Sequence, residues 1–395
     1  MSEVATHLPT IDDLEVESRT VLVRADLNVP LDGGEVTDDF RIRAAVPAVS
    51  ELRARRARVV VCSHLGRPKG GDTAYSMRPV GAVMSSLGGF PVVVADDVAG
   101  PGARAAVDAM ADDVVLLENT RFEAGEEAND PDLAERLASL ADCFVLDAFG
   151  SAHRAHASTV GVTRFLPSAA GPLLLAEVAA FDRVLHDPDR PFVVALGGAK
   201  VSDKLGVIEA LLPKVEVMLV GGAMCFTLLE AEGYGVGRSR VEEDLVDAVR
   251  KVLDSHYGSR LSLPTDVVVG RTFDRGTGHR VVPATAMPDD QMGLDIGPET
   301  ADRYAAIAGG ADTIFWNGPM GVFEWPAFAA GTRRLAEAVA ESEGYSVVGG
   351  GDTIAALREF GLGDRVSHLS TGGGAGLELI EQGTLPGLEA LRGSS

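Results

Sequence analysis

Arginine, histidine and short polar residues recur immediately after apolar runs in the first half of the chain. Arg24, Asp26 and Asn28 follow one run, and Ser63, His64 and Arg67 the next. Glu118, Asn119 and Arg121 follow another, and Asp147 leads into His153, Arg154 and His156, while Arg41 lies further along the first connection. Planar guanidinium groups grip carboxylates and phosphates bidentately, so these clusters suit a small, multiply anionic ligand. Any one of these arginines could simply solvate its loop, which is the default for charge. Their recurrence at four run ends is what points to a site. His64, His153 and His156 could act as bases or hydrogen-bond a ligand phosphate, and the sequence leaves both open.

The second half places glycine where the first places charge: Gly197-Gly198-Ala199-Lys200, Gly221-Gly222, Asn317-Gly318-Pro319, Gly349-Gly350-Gly351-Asp352-Thr353 and Gly372-Gly373-Gly374. Glycine turns that open into helices let backbone N–H groups approach phosphates at the positive end of the helix dipole. A lone pair such as Gly221-Gly222 reads more simply as a tight turn. Five such turns, with Lys200 and Lys204 among only five lysines in the chain, favour a nucleotide polyphosphate site. Asp352 is the best candidate for holding Mg²⁺, directly or through the nucleotide; it could equally N-cap a helix over Thr353–Phe360. Neither GxxxxGK[ST] nor a GxGxxG at a strand–helix turn occurs, which argues against a P-loop ATPase and a nicotinamide-dependent dehydrogenase.

Parallel strands must position these groups. Eleven short apolar runs rich in β-branched residues alternate with helical patterns: five from Val21–Val23 to Phe144–Leu146, and six from Phe192–Leu196 to Val366–Leu369, Val267–Val269 among them. Continuous apolar strands between helices mean parallel sheets covered on both faces. Eleven exceed one ordinary sheet. The expected fold is α/β, two doubly wound, Rossmann-like parallel-sheet domains joined by a helix and hinge, with ligands beyond the carboxyl ends of the strands. Pro172 to His186 reads as the joining helix, with proline at its first position and a stop at Asp187-Pro188. An anion-binding half and a nucleotide half suggest a kinase that closes to bring donor and acceptor in line.

The chain has 395 residues, 46% of them apolar, and exceeds the roughly 100–200 residues of one domain. Its net charge of −23, from 58 acidic against 35 basic residues, disfavours nonspecific binding to nucleic acid and anionic membranes. Acid excess with few lysines suggests adaptation to a salty cytosol; a GC-rich genome would explain the arginines but less readily the acids. Cys62, Cys143 and Cys225 form no CxxC pair, so neither disulfide framework nor zinc site is signalled. No apolar stretch reaches the ~18 residues of a membrane span and no signal-peptide pattern opens the chain, so a cytoplasmic protein is expected.

Longer runs carry a specific resemblance. Val23-Arg24-Ala25-Asp26-Leu27-Asn28-Val29-Pro30, Ser63-His64-Leu65-Gly66-Arg67-Pro68, Leu117-Glu118-Asn119-Thr120-Arg121-Phe122 and Ala152-His153-Arg154-Ala155-His156 resemble, in order, motifs of the phosphoglycerate kinase family. So do Leu196-Gly197-Gly198-Ala199-Lys200-Val201-Ser202-Asp203-Lys204, Trp316-Asn317-Gly318-Pro319-Met320-Gly321-Val322-Phe323-Glu324 and Gly349-Gly350-Gly351-Asp352-Thr353. The resemblance implies that Asp26, Asn28, Arg41, His64, Arg67, Arg121 and Arg154 bind 3-phosphoglycerate. It implies that Lys200, Lys204, Asn317, Glu324, Gly350, Gly351, Asp352 and Thr353 bind ADP or ATP, with Asp352 serving Mg²⁺. Arg41 and Lys200 would flank the phosphoryl group in flight, and amides at Gly372, Gly373 and Gly374 would stabilise its charge. The implied reaction is reversible transfer of a phosphoryl group from 1,3-bisphosphoglycerate to ADP, a phosphotransfer with a carboxyl acceptor in the reverse direction, catalysed by a monomer. Implied domains are 1–170 for 3-phosphoglycerate, 171–187 as joining helix, 188–375 for nucleotide, and 376–395 returning to the first domain. Departures from the pattern are small: Ala25 and Leu27 where Val and Phe are usual, Ser151 for Thr, and Gly376 for Ser.

Overall fold

A computed structural model of the protein describes residues 8–69 and 72–393. Residues 1–7 and 394–395, at the ends of the expected segments 1–170 and 376–395, lie outside the described residues. The chain divides into two compact units, Met1–Ala179 with Gln382–Ser395, and Ala180–Glu381.

Six parallel strands form the sheet of the first unit, in the spatial order Val92–Val94, Val114–Leu116, Arg58–Cys62, Thr20–Ala25, Cys143–Asp147, Ser168–Ala170. The central strands Thr20–Ala25 and Cys143–Asp147 are buried along their whole length, because helices cover both faces. One face packs Val21, Val23, Val59, Val61 and Val145 against Ile42, Ala45, Val49 and Leu52 of the helix Phe40–Ala54. Each such aliphatic side chain contributes about 1.5–3 kcal/mol on burial. Strand order reverses direction between Thr20–Ala25 and Cys143–Asp147, opening a crevice at their carboxyl ends.

The second unit has its own six-stranded parallel sheet, ordered Leu261–Ser262, Val217–Val220, Phe192–Leu196, Thr313–Asn317, Tyr345–Gly349, His368–Leu369. Numbered within the sheet this is the doubly wound order 3-2-1-4-5-6, with its switch point between Phe192–Leu196 and Thr313–Asn317. Trp316, Tyr304, Leu335 and Val339 fill one side of it.

Both doubly wound sheets agree with the sequence reading, with two differences. Val267–Val269 belongs to a separate antiparallel sheet, in which Asp266–Gly270 lies between His279–Pro283 and Met292–Ile296. An apolar run does not say which direction its neighbours take. The sixth strand of the first sheet, Ser168–Ala170, has no β-branched residue to announce it. The helix Pro172–His186 stands as read, and the division between units falls within it. Residues 376–381, expected in the returning segment, group with the second unit, where Gly376 lies against the Phe181 ring and Glu381 against Gly206. Cys62, Cys143 and Cys225 are buried free thiols. Among the described residues, no helix is long and apolar enough to cross a membrane.

Candidate active site

The crevice of the first unit is lined by loops that hydrogen-bond one another. Arg24 is fully buried, and its Nε donates to Ser158 Oγ at 2.8 Å while Glu126 accepts from the same hydroxyl at 2.6 Å. The other end of Arg24 meets His64 Nδ1 at 3.0 Å. Asp26 accepts from Arg41 Nη1 at 2.7 Å and from the Asn28 amide at 3.3 Å. Asn28 Oδ1 in turn accepts the Gly66 amide at 2.8 Å, and Arg121 donates to the Gly66 carbonyl. Asn119 pins the same loop by accepting from the Leu65 amide at 3.1 Å and donating to its carbonyl at 2.8 Å. Arg154 Nε meets His153 Nε2 at 3.1 Å.

Charges in this network disturb one another. Burial pushes the Asp26 carboxyl up, but Arg41, His64 and Arg24 outweigh it and hold it below the usual carboxylate range. Burial and the neighbouring Arg24 push His64 well below its ordinary value, so the imidazole is neutral near pH 7. Burial also lowers Arg121, opposed by Glu127 and reinforced by the positive charges of Arg154, Arg24 and Arg67. Like charges held together in a crevice are stabilised when a polyanion arrives between them. All seven residues expected to hold the anionic ligand, Asp26, Asn28, Arg41, His64, Arg67, Arg121 and Arg154, lie in this one network or bear electrostatically on it. Arg24 and Glu126 are its buried supports.

The second unit builds its site mainly from backbone. At the switch point the Gly197 amide donates to the Asn317 carbonyl at 3.0 Å and the Gly198 amide to the Pro319 carbonyl at 3.1 Å. Gly222 belongs to the same knot: its φ is 65°, and a Cβ there would run into the backbone of Gly198. Its pairing with Gly221 is therefore more than a tight turn. A cavity of about 480 Å³ opens beside these turns, lined by Gly198, Gly222, Phe226, Leu294, Met320 and Val322 among others, with Glu324 and Asp352 at its polar edge. Asn317 is buried and accepts from Lys204, whose ammonium is lowered to about 8 by burial, against the pull of Asp203 and Asp352.

The turn Gly349–Thr353 starts the helix Gly351–Glu359, with Gly350 at the N-cap and φ 92°. Asp352 is therefore not the N-cap weighed above. It sits exposed in the first turn of the helix, two residues after Gly350. Thr353 is buried and its hydroxyl accepts the Gly318 amide at 2.7 Å, tying this helix to the Asn317 turn. Lys200 is exposed and lies outside the cavity lining, and Gly373 and Gly374 open the helix Gly374–Gln382 beyond the strand His368–Leu369. Among the described residues no group of three or more His, Cys, Asp or Glu side chains converges as a metal cage. Mg²⁺ is commonly held by one or two carboxylates plus substrate phosphates, so a single exposed carboxylate at a helix N-terminus fits that ion bound together with a nucleotide.

Sequence reasoning missed the contributions of Phe226, Arg238, Arg240, Phe273 and the strand Met292–Ile296 to the cavity. These come from helix, loop and the antiparallel sheet, and none carries a glycine-turn or charged-cluster signal.

Comparison with known proteins agrees with this architecture. The family model described as phosphoglycerate kinase matches residues 11–383. A curated phosphoglycerate kinase of Thermomicrobium roseum is 54% identical over 386 residues, covering 97% of this chain and 98% of the relative. The solved phosphoglycerate kinase from Coxiella burnetii superposes with a TM-score of 0.85 at 41% identity, covering 97% of this chain and 98% of its own. That from Pyrococcus horikoshii OT3 gives a TM-score of 0.88 at 33% identity, covering 98% and 99%. With motifs, doubly wound sheets and near full-length identity all in register, the chain belongs to the phosphoglycerate kinase family.

Proposed function

We propose that this chain transfers the acyl phosphate of 1,3-bisphosphoglycerate to Mg·ADP, reversibly, giving ATP and 3-phosphoglycerate. The observation that carries this reading is the pairing, within one family member, of a guanidinium-lined crevice with a glycine-walled cavity, each at the switch point of its own parallel sheet. The first unit takes the phosphoglycerate: Arg67, Arg121 and Arg154 hold its remote phosphate, with His64 as a neutral hydrogen-bond partner and Asp26 and Asn28 fixing Arg41 and the Gly66 turn. The second takes the nucleotide through Lys204, Asn317, Glu324, Gly350, Gly351, Asp352 and Thr353. Bound with the nucleotide, Mg²⁺ would neutralise charge on its phosphates, and Asp352 would be the residue to hold it.

Arg41 and Lys200 are assigned to the phosphoryl group in transit, with the Gly373 and Gly374 amides beside it. The acceptor is a carboxylate or a phosphate oxygen, so no general base is required, and catalysis comes from positioning and charge. Donor and acceptor belong to different units, so turnover includes a closure that brings them in line and excludes water. We further infer a cytoplasmic monomer adapted to salt.

ATP formation from 1,3-bisphosphoglycerate, followed with and without Mg·ADP, tests the activity; a folded protein that makes no ATP overturns it. Salt adaptation has its own test. Repulsion among −23 net charges is screened over ~10 Å at 0.1 M and ~3 Å at 1 M salt, so the thermal midpoint rises with KCl. A midpoint that stays flat or falls removes that inference.

A further inference from the structure

Two arginines line the nucleotide cavity with nothing yet for them to do. Arg238 and Arg240 are both exposed, and among the described residues neither guanidinium enters an ion pair or a side-chain hydrogen bond. Elsewhere in this acidic chain many arginines answer carboxylates, as Arg250 does Asp247 at 2.8 Å and Arg334 does Asp302 at 2.9 Å. Glu242, the acid on which Arg240 bears, is already engaged, its carboxylate accepting from Ser202 N at 3.0 Å and Ser202 Oγ at 2.6 Å.

The loop that carries them is fixed. The Arg238 amide donates to the Gln291 carbonyl at 2.7 Å, and Ser239 Oγ accepts the Gly293 amide at 3.0 Å. Both arginines thus stand at the edge of the antiparallel sheet, next to Met292 and Gly293. The groups suited to phosphates, namely the helix start at Gly350–Asp352, Lys204 and the Gly197–Gly198 turn, belong to the parallel sheet. Between the two ends the wall is apolar, with Phe226, Leu294, Met320 and Val322, and the 67% exposed Phe273 at the rim packs its ring 4.7 Å from that of Trp325. An apolar slot edged by planar cations fits a flat heteroaromatic ring, which a guanidinium can cover face-on or meet at its ring acceptors.

We propose that Arg238 and Arg240 bind the base end of the nucleotide and set its preference for a purine. This rests on the nucleotide reading of the cavity. The larger π-face of a purine gives the guanidinium more to cover than a pyrimidine does, so their removal weakens purine binding most.

The test compares the parent with Arg240→Leu, Arg238→Ala and Arg240→Lys, using steady-state kinetics with ADP and CDP and calorimetric binding of adenosine, which has no phosphate. Expected for Arg240→Leu is a KM for ADP raised roughly three- to thirty-fold, with kcat and the KM for the phosphoglycerate substrate held, a parallel loss of adenosine affinity, and a narrowed ratio between ADP and CDP. Arg240→Lys stays impaired, because an ammonium lacks the planar face. Circular dichroism confirms that the exposed substitutions leave the fold intact. A KM for ADP within twofold of the parent in both single variants overturns the proposal, as does weaker ADP binding with unchanged adenosine binding, which would move the arginines to the phosphates. If the parent itself binds neither ADP nor adenosine, the nucleotide reading fails instead.

Discussion

The two units build the crevices at their strand ends from different materials. In the first, the crevice is a mesh of side chains, in which Arg24 holds His64, Asp26 holds Arg41, and Asn28 and Asn119 hold the turn that Arg121 also reaches. In the second, the switch point is a knot of main chain: Gly197 approaches Pro319, and Gly222 approaches Gly198, more closely than any side chain on Gly197 or Gly222 would allow. A mesh of charges is tuned by its neighbours, each shifting the next. A knot of amides is tuned by shape alone. Damage to the two should therefore look different, the first failing through charge and the second through backbone geometry.

The largest expected effect is at Arg41. Removing a group that acts on transition-state charge typically costs ~10²–10³ in turnover, so Arg41→Ala lowers kcat by about that factor with little change in KM. Arg41→Lys remains impaired, since a point charge does not replace the planar fork. Asp26 is 4% exposed and Arg41 is its nearest cation, so the alanine variant also leaves a buried carboxylate short of its partner. Steady-state kinetics beside thermal unfolding separates the two losses, and a near-normal kcat would show that the arginine is misplaced.

An intermediate effect is expected at Gly222. Alanine there combines a φ of 65° with a collision against Gly198, a local strain of ~1–3 kcal/mol that the turns around the cavity must absorb. The KM for ADP should rise about tenfold while 3-phosphoglycerate binding to the same protein, measured by calorimetry, stays as it was. Equal losses for both ligands would erase the contrast between mesh and knot.

The last effect concerns pH. Among the described residues, each unit has one buried carboxylate that accepts an amide near the start of a helix and is raised by burial. Asp147 accepts Leu174 N at 3.0 Å and is pushed up to about 6 by burial; Asp295 accepts Gly331 N at 2.8 Å and is pushed up to about 8, again by burial. A carboxyl raised in the folded state stabilises it below the unfolded value near 3.8, and that contribution is lost as pH rises through the folded value. From pH 4 to 6 both units lose stability by this route. From 6 to 8 only the second should. Amide exchange resolved by unit reads this directly, and Asp295→Asn should flatten the upper window; an unchanged slope in that variant would assign it to other groups.

What the sequence disclosed follows from the same contrast. Side-chain chemistry leaves letters behind, so Arg24, Arg41, Arg121 and Arg154 were visible as a set, and the β-branched runs of both parallel sheets with them. Main-chain chemistry leaves only glycine, which also marks ordinary turns, and Gly222 was read as one. Asp352 was legible as a residue but not its position, since only the backbone shows the cap two residues earlier at Gly350. Ser168–Ala170 escaped because short, small-residue strands are held by pairing with Phe144, Val145 and Leu146 rather than by their own preference. The antiparallel sheet escaped because its outer strand His279–Pro283 is mostly exposed and reads as a polar loop.

The chain leaves the first unit at Ala179 and comes back to it at Gln382, where the helix Pro386–Gly393 buries Leu388 and Leu391 and the Gly387 amide donates to the Ala152 carbonyl at 2.8 Å. Synthesis from the N-terminus therefore delivers the two units out of order. The second is contiguous, whereas the first, although begun earlier, is closed by a segment that follows the whole of the second along the chain. Because Gly387 anchors beside His153 and Arg154, the loop that carries those two residues is tied down only by chain made after the whole of the second unit.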